Sequence, residues 1–241
     1  MTYCLAIRCD QGLVFASDSR TNAGVDQVTT YSKMHVFEFP GERIFVLLSA
    51  GNLATTQEVV LTLQRDLDEH NAENLRSFSH LADAAAYVGR ISTRVKEAYT
   101  QGPNQGFSPG ASFILGGQIG DSPPDIYLIY PEGNFITCSA PHPFLQVGES
   151  KYGKPILDRV ISAKTSLEDA ARCALVSIDS TMRSNATVGP PIELLLYQAG
   201  SLEAFRRLSF DLDTPYLSAI RDEWAGALRR AFDGLPRFDW E

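Results

Sequence analysis

The order in which two hydrophobic periods follow one another constrains this chain more than any other feature of its sequence. Residues 2–9 alternate around Cys4, Ala6 and Arg8, Asp10-Gln11-Gly12 turns the chain, and residues 13–17 continue as an apolar run. A polar stretch over 18–30 has neither period. Residues 34–39 alternate again, Pro40-Gly41 turns, and 43–48 read as a strand buried on both faces. Only then do helical stripes begin. One, over about 55–69, carries Val59, Leu63 and Leu67; the other, over about 81–100, carries Leu81, Ala84, Val88, Ile91 and Val95.

Gly- and Pro-rich residues 102–110 end the second helix, and strands resume at 111–115, 125–130, around 135–138 and at 144–147. The pattern Thr165-Ser-Leu-Glu168 predicts a capped third helix, followed by strands at 192–197 and 205–210. A last helix opens at Thr214-Pro215 with a face of Leu217, Ile220, Trp224, Ala227 and Ala231. Strand runs flanking helix runs exclude a doubly wound fold, whose strands and helices alternate strictly. Two antiparallel sheets packed together under helix layers would bury every stripe, within one domain over 1–241.

The chain has 44% hydrophobic and 21% charged residues, which fits a globular protein with a real core. Its net charge of −8 argues against a sequence-independent grip on nucleic acid, which needs a positive face. The four cysteines (Cys4, Cys9, Cys138, Cys173) show no CxxC pairing, and the histidines are scattered, so no metal and no cofactor is expected. The start lacks the basic and apolar regions of a signal peptide, and no run approaches the ~20 apolar residues of a membrane span. The expected setting is the cytoplasm. GxSxG, Walker and HExxH motifs are absent, and Gly116-Gly117 with Gly120 reads as a turn rather than a nucleotide loop.

Thr2 is the unusual candidate. Methionine aminopeptidase removes Met1 when the next side chain is small, leaving a hydroxyl and an α-amine on one residue. An α-amine titrates near ~8, so it can accept the hydroxyl proton at neutral pH. While Met1 remains, that nitrogen is locked in a peptide bond.

The opening strand, then Gly12-Leu-Val-Phe-Ala-Ser-Asp18-Ser-Arg20, with Lys33 and Ser49-Ala50-Gly51 beyond it, resembles the start of proteasome β-type subunits. The segment Phe15-Ala-Ser-Asp-Ser-Arg-Thr-Asn-Ala-Gly-Val-Asp26 resembles the bacterial ancestral β-subunit proteins, the Anbu family. The resemblance implies an α+β, four-layer αββα sandwich of the N-terminal nucleophile hydrolase class. It also implies roles: Thr2 as nucleophile and base, Lys33 as the cation that eases its activation, Asp18 as the partner orienting Lys33. The Gly51 N–H would be the oxyanion donor. Where proteasome subunits carry Gly-Ser-Gly near the nucleophile, this chain has Gly148-Glu149-Ser150, so Glu149 or Ser150 takes the serine's place. Their Arg-Asp-x-x-Ser segment is replaced by Arg183-Ser184-Asn185-Ala186-Thr187.

The function so implied is cleavage of peptide or other amide bonds by a self-associated ring or open helical oligomer. No ATPase partner is indicated. The alternatives are a catalytically weak proteasome-like scaffold and an acylase for a small amide. The lack of an N-terminal extension argues against a gating, α-type subunit. The short aromatic tail around Phe238 and Trp240 is expected to dock on the body or on a neighbouring subunit.

Overall fold

The computed structural model describes residues 2–22, 28–100 and 108–240. Its elements run β1 (Tyr3–Cys9), β2 (Gly12–Asp18), β3 (Arg20–Asn22), β4 (Val28–Thr30), β5 (Met34–Phe39), β6 (Arg43–Gly51), α1 (Leu53–Asp68) and α2 (Leu81–Thr100). They continue with β7 (Ala111–Ile119), β8 (Asp125–Ile129), β9 (Phe135–Thr137), β10 (Phe144–Gly148), α3 (Ser150–Val160), α4 (Leu167–Ser184), β11 (Ile192–Gln198), β12 (Arg206–Phe210) and α5 (Pro215–Asp233).

Two five-stranded antiparallel sheets result, ordered β10-β1-β2-β11-β12 and β5-β6-β7-β8-β9. The period-2 rule sends alternate residues to opposite faces, and each sheet buries both. In β1, Tyr3, Leu5 and Ile7 join a core with α3 and α4, whereas Cys4 and Ala6 join the core between the sheets. In β6, Ile44, Val46 and Leu48 face that same middle core, while Phe45 and Leu47 turn to α1 and α2. Three apolar layers therefore separate four structural ones, which is the αββα sandwich.

Several details differ from the sequence expectation. Gly116 and Gly117 lie inside β7, and only Gly120 sits in the turn. The reason is sheet-to-sheet packing: a Cβ on Gly116 would stand 2.6 Å from Cζ of Phe15, a fully buried side chain of the opposite sheet. The polar stretch before Thr30 contains β3 and β4, paired from Arg20↔Thr30 to Asn22↔Val28. The sequence reading also lacks a helix that is present: α3 contains Gly153 and Pro155, both helix breakers by propensity. Gly153 is there because a Cβ would meet Ser177 Oγ at 2.2 Å and the Tyr3 hydroxyl at 2.4 Å. Tertiary closeness overrides propensity at that point.

The cap of α4 falls one residue later than expected. Ser166 is the N-cap and accepts from the Asp169 N–H at 3.1 Å, while Thr165 Oγ accepts from the Ser162 N–H. On α5 the expected face packs only at its start: Leu217 is buried, Ile220 and Trp224 are half-buried, and Ala227 and Ala231 are exposed. The tail does not dock on the body, since Phe238 and Trp240 are 62% and 79% exposed and stack on each other. Residues 101–107, within which the sequence ends α2, and Met1 lie outside the described residues.

Candidate active site

β1 and β2 form a hairpin whose open end carries residue 2 on one arm and Asp18 on the other. By alternation from Cys4, Thr2 falls on the side facing the second sheet. There a cavity of about 860 Å³ opens between the two sheets, and Thr2, Lys33, Gly51 and Glu149 all line it. The first turn of α1 closes one flank with Leu53, Thr56 and Gln57. That helix starts here because Asn52 Oδ1 accepts from the Thr55 N–H at 3.2 Å and caps it.

Asp18 is fully buried behind Thr2. Its Oδ1 accepts from the Tyr3 N–H at 3.0 Å and from Lys33 Nζ at 2.7 Å, and its Oδ2 accepts from the Gly189 N–H at 3.2 Å. A buried carboxylate needs such donors. Burial pushes the Asp18 carboxyl above its ordinary range, and the Lys33 ammonium and the two amides pull against that rise.

Lys33 is only 6% exposed. Its backbone extends the β5–β6 pairing by one step, with Ser49 N–H donating to the Lys33 carbonyl at 3.0 Å. Its ammonium donates to Asp18 and to the Arg20 carbonyl, each at 2.7 Å. An ammonium has three donors, and these bonds fix two of them while the residue still lines the cavity.

Two glycines stand where a Cβ would run into backbone and strain it. Gly148 has φ +83 and lies opposite Tyr3 in the β1–β10 ladder, and a Cβ there would stand 1.8 Å from the Thr2 carbonyl oxygen. That carbonyl instead accepts from the Glu149 N–H at 2.8 Å, which pins residue 2 to the neighbouring strand. Gly51 has φ +122, and a Cβ there would stand 2.5 Å from the Gly110 carbonyl oxygen.

Of the two alternatives for the serine-like place, Glu149 reaches the cavity and Ser150 does not. Ser150 opens α3 and lines a separate hollow with Gln146 and Lys154. The segment from Arg183 to Thr187 ends α4, where Asn185 Oδ1 accepts from the Thr187 N–H and hydroxyl and shapes its own turn. Sequence reasoning missed the groups of β3 and of the connection from α4 to β11 that hold the ion pair from behind. Arg20 donates to the Ala186 carbonyl at 2.6 Å and fills the space over Gly189, whose amide reaches Asp18. Arg20 stood in the motif without a role; Gly189 gave no signal, because a backbone donor leaves none.

Among curated proteins none matches this chain. The profile of the proteasome subunit family matches residues 2–196. Among solved structures, Anbu (ancestral beta-subunit) from Yersinia bercovieri is 42% identical with a TM-score of 0.94, each chain covering 100% of the other. The helical assembly of the Anbu complex from Pseudomonas aeruginosa is 44% identical, TM-score 0.91, with 98% of both chains covered. A Gly-1 mutant of Anbu from Hyphomicrobium sp. strain MC1 is 42% identical, TM-score 0.92, covering 99% of this chain and 100% of its own. With whole-chain likeness of this order added to the family profile, the chain belongs to the proteasome subunit family, among its Anbu members.

Proposed function

We propose that this protein, once Met1 is removed, is a threonine-type hydrolase that cleaves amide bonds of peptides. The observation that carries the reading is the gathering of Thr2, Lys33 and Gly51 around one cavity, with the Lys33 ammonium anchored 2.7 Å from a buried Asp18.

The chemistry follows from those positions. The Thr2 α-amine takes the hydroxyl proton as Oγ attacks the amide carbon. The carbonyl π electrons move to oxygen, and the resulting oxyanion is held by the Gly51 N–H. The α-ammonium then returns its proton to the leaving nitrogen, and the C–N bond breaks to leave an ester on Thr2. Water, deprotonated by the same amine, attacks that ester and restores the hydroxyl. Lys33 contributes as a fixed positive charge: it favours the ionised oxygen and disfavours a second cation at the amine. Asp18 keeps Lys33 charged and in place. The cavity volume suits an extended peptide segment.

Self-association is part of the proposal, supported by the helical assembly of the Pseudomonas aeruginosa relative. A single domain working in the cytoplasm is likewise proposed, supported by four buried cysteines that are all free. The test is hydrolysis of a fluorogenic peptide library beside a panel of small amides, with Thr2→Ala as control. Thr2-dependent peptide turnover is expected. Turnover confined to small amides would replace the peptidase by an acylase, and turnover that survives Thr2→Ala would remove Thr2 from the reaction.

A further inference from the structure

Glu149 is the N-cap of α3, yet its side chain makes no capping hydrogen bond. That side chain is only 11% exposed, and Oε2 is buried without a hydrogen-bond partner among the described residues. The Lys151 ammonium stands 3.3 Å from that oxygen, close enough for an ion pair but off the direction of a hydrogen bond. A buried carboxylate oxygen left in this way costs free energy unless a cation serves it. The register says which cation is at hand. Tyr3 pairs with Gly148, so the next position along places Thr2 opposite Glu149, and the Glu149 N–H donates to the Thr2 carbonyl at 2.8 Å. Thr2 and Glu149 also line the same cavity, so the residue 2 backbone and the Glu149 carboxylate meet at one wall of it.

We infer that the Glu149 carboxylate receives the α-ammonium of Thr2 and sets the pH at which that amine becomes a base. The inference rests on the reading above that residue 2 becomes the N-terminus. It makes Glu149 a positioning residue, acting through the amine rather than on substrate.

The charges around that amine pull in opposite directions. Lys33, beside the cavity, and Arg20, on β3, lower its proton affinity. Asp18, on β2, is engaged by Lys33. His35 lines the cavity from β5, and burial holds it below the usual histidine range, so it adds no charge at neutral pH. Glu193, on β11, is occupied by Ser32 and Arg207. Lys151, on α3, competes for Glu149 from an exposed position. Glu149 is thus the carboxylate left to oppose Lys33. A proteasome-type site with a serine at this place would lack that opposing charge.

Trace acetylation of the Thr2 α-amine by acetic anhydride, quantified by peptide mapping across pH, tests this without requiring catalysis. In Glu149→Gln the midpoint should move to lower pH, with proton affinity falling about tenfold. Glu149→Asp should restore most of it, and Lys151→Ala should move the midpoint upward. A Glu149→Gln midpoint equal to that of the native chain overturns the inference. Should Glu149→Gln fail to fold, Lys151→Ala decides, and an unmoved midpoint there is equally fatal. A β-lactone acylation run in parallel separates the two readings. No Thr2 ester together with a shifted midpoint would sink the nucleophile and leave the Glu149 pairing standing.

Discussion

Replacing Asp18 by asparagine keeps the side-chain volume and removes one charge from a pair with almost no access to water. Asp18 is fully buried, and the Lys33 side chain is 8% exposed, so solvent screens little of the loss. Breaking such a pair from one side strands the other charge, at a cost of about 3–5 kcal/mol. For a chain of this size about 1 kcal/mol corresponds to about 2–4 °C in Tm, so Asp18→Asn should melt about 6–20 °C lower. Lys33→Met should also destabilise, but less, because the amides of Tyr3 and Gly189 still serve the carboxylate. The double variant strands neither charge and should recover part of the loss, with a coupling of about 1–3 kcal/mol. Urea denaturation followed by far-UV circular dichroism provides the assay, at one fixed protein concentration because assembly shifts apparent stability. An Asp18→Asn cost below about 1 kcal/mol, or a double variant as unstable as the sum of the singles, would refute the buried-pair argument.

Acid should abolish activity before it unfolds the chain. The raised Asp18 carboxyl binds its proton more readily folded than unfolded, so its protonation does not unfold the chain: unlike the asparagine amide, it keeps both oxygens in place to accept from the Tyr3 and Gly189 N–H groups. Thr2 acylation, which needs Asp18 ionised, should therefore fail at a pH where circular dichroism is unchanged; coincident loss would count against this. Gly148→Ala should push the Thr2 carbonyl out of place, costing about 1–3 kcal/mol and removing Thr2 reactivity while the sandwich survives. Unchanged acylation kinetics in that variant would contradict the close approach. Removing residues 235–241 takes away the exposed Leu235, Phe238 and Trp240 and should change oligomer size in light scattering without altering monomer stability. An unchanged oligomer would end the idea that the tail docks on a neighbour.

The layers were legible in the sequence because burial on both faces of each sheet leaves long apolar runs such as 43–48, and because the stripe on α2 keeps its spacing across Leu81–Thr100. What escaped was governed by contacts between distant residues. Gly153 looks like a helix breaker until Tyr3 and Ser177 are seen against it, and Gly116 looks like a turn until Phe15 is. At the site, Lys33 and Asp18 were named by the resemblance to proteasome β-type subunits, since two charges fifteen positions apart would otherwise read as solvated, and their ion pair is there. The amide of Gly189 and the Arg20 carbonyl could not be named, since backbone groups carry no side-chain signature. The choice between Glu149 and Ser150 was open for a related reason: a single step of register decides it, and a pattern of residue types does not fix a register to one residue.

The central claim is that residue 2 is a nucleophile with its own base. Intact-mass and peptide-mapping mass spectrometry of the natively expressed chain, before and after a β-lactone, tests it most directly. The account predicts a chain beginning at Thr2 that gains one acyl group on that residue, lost in Lys33→Ala. A native chain that keeps Met1, or an adduct that forms equally well without Lys33, would contradict it.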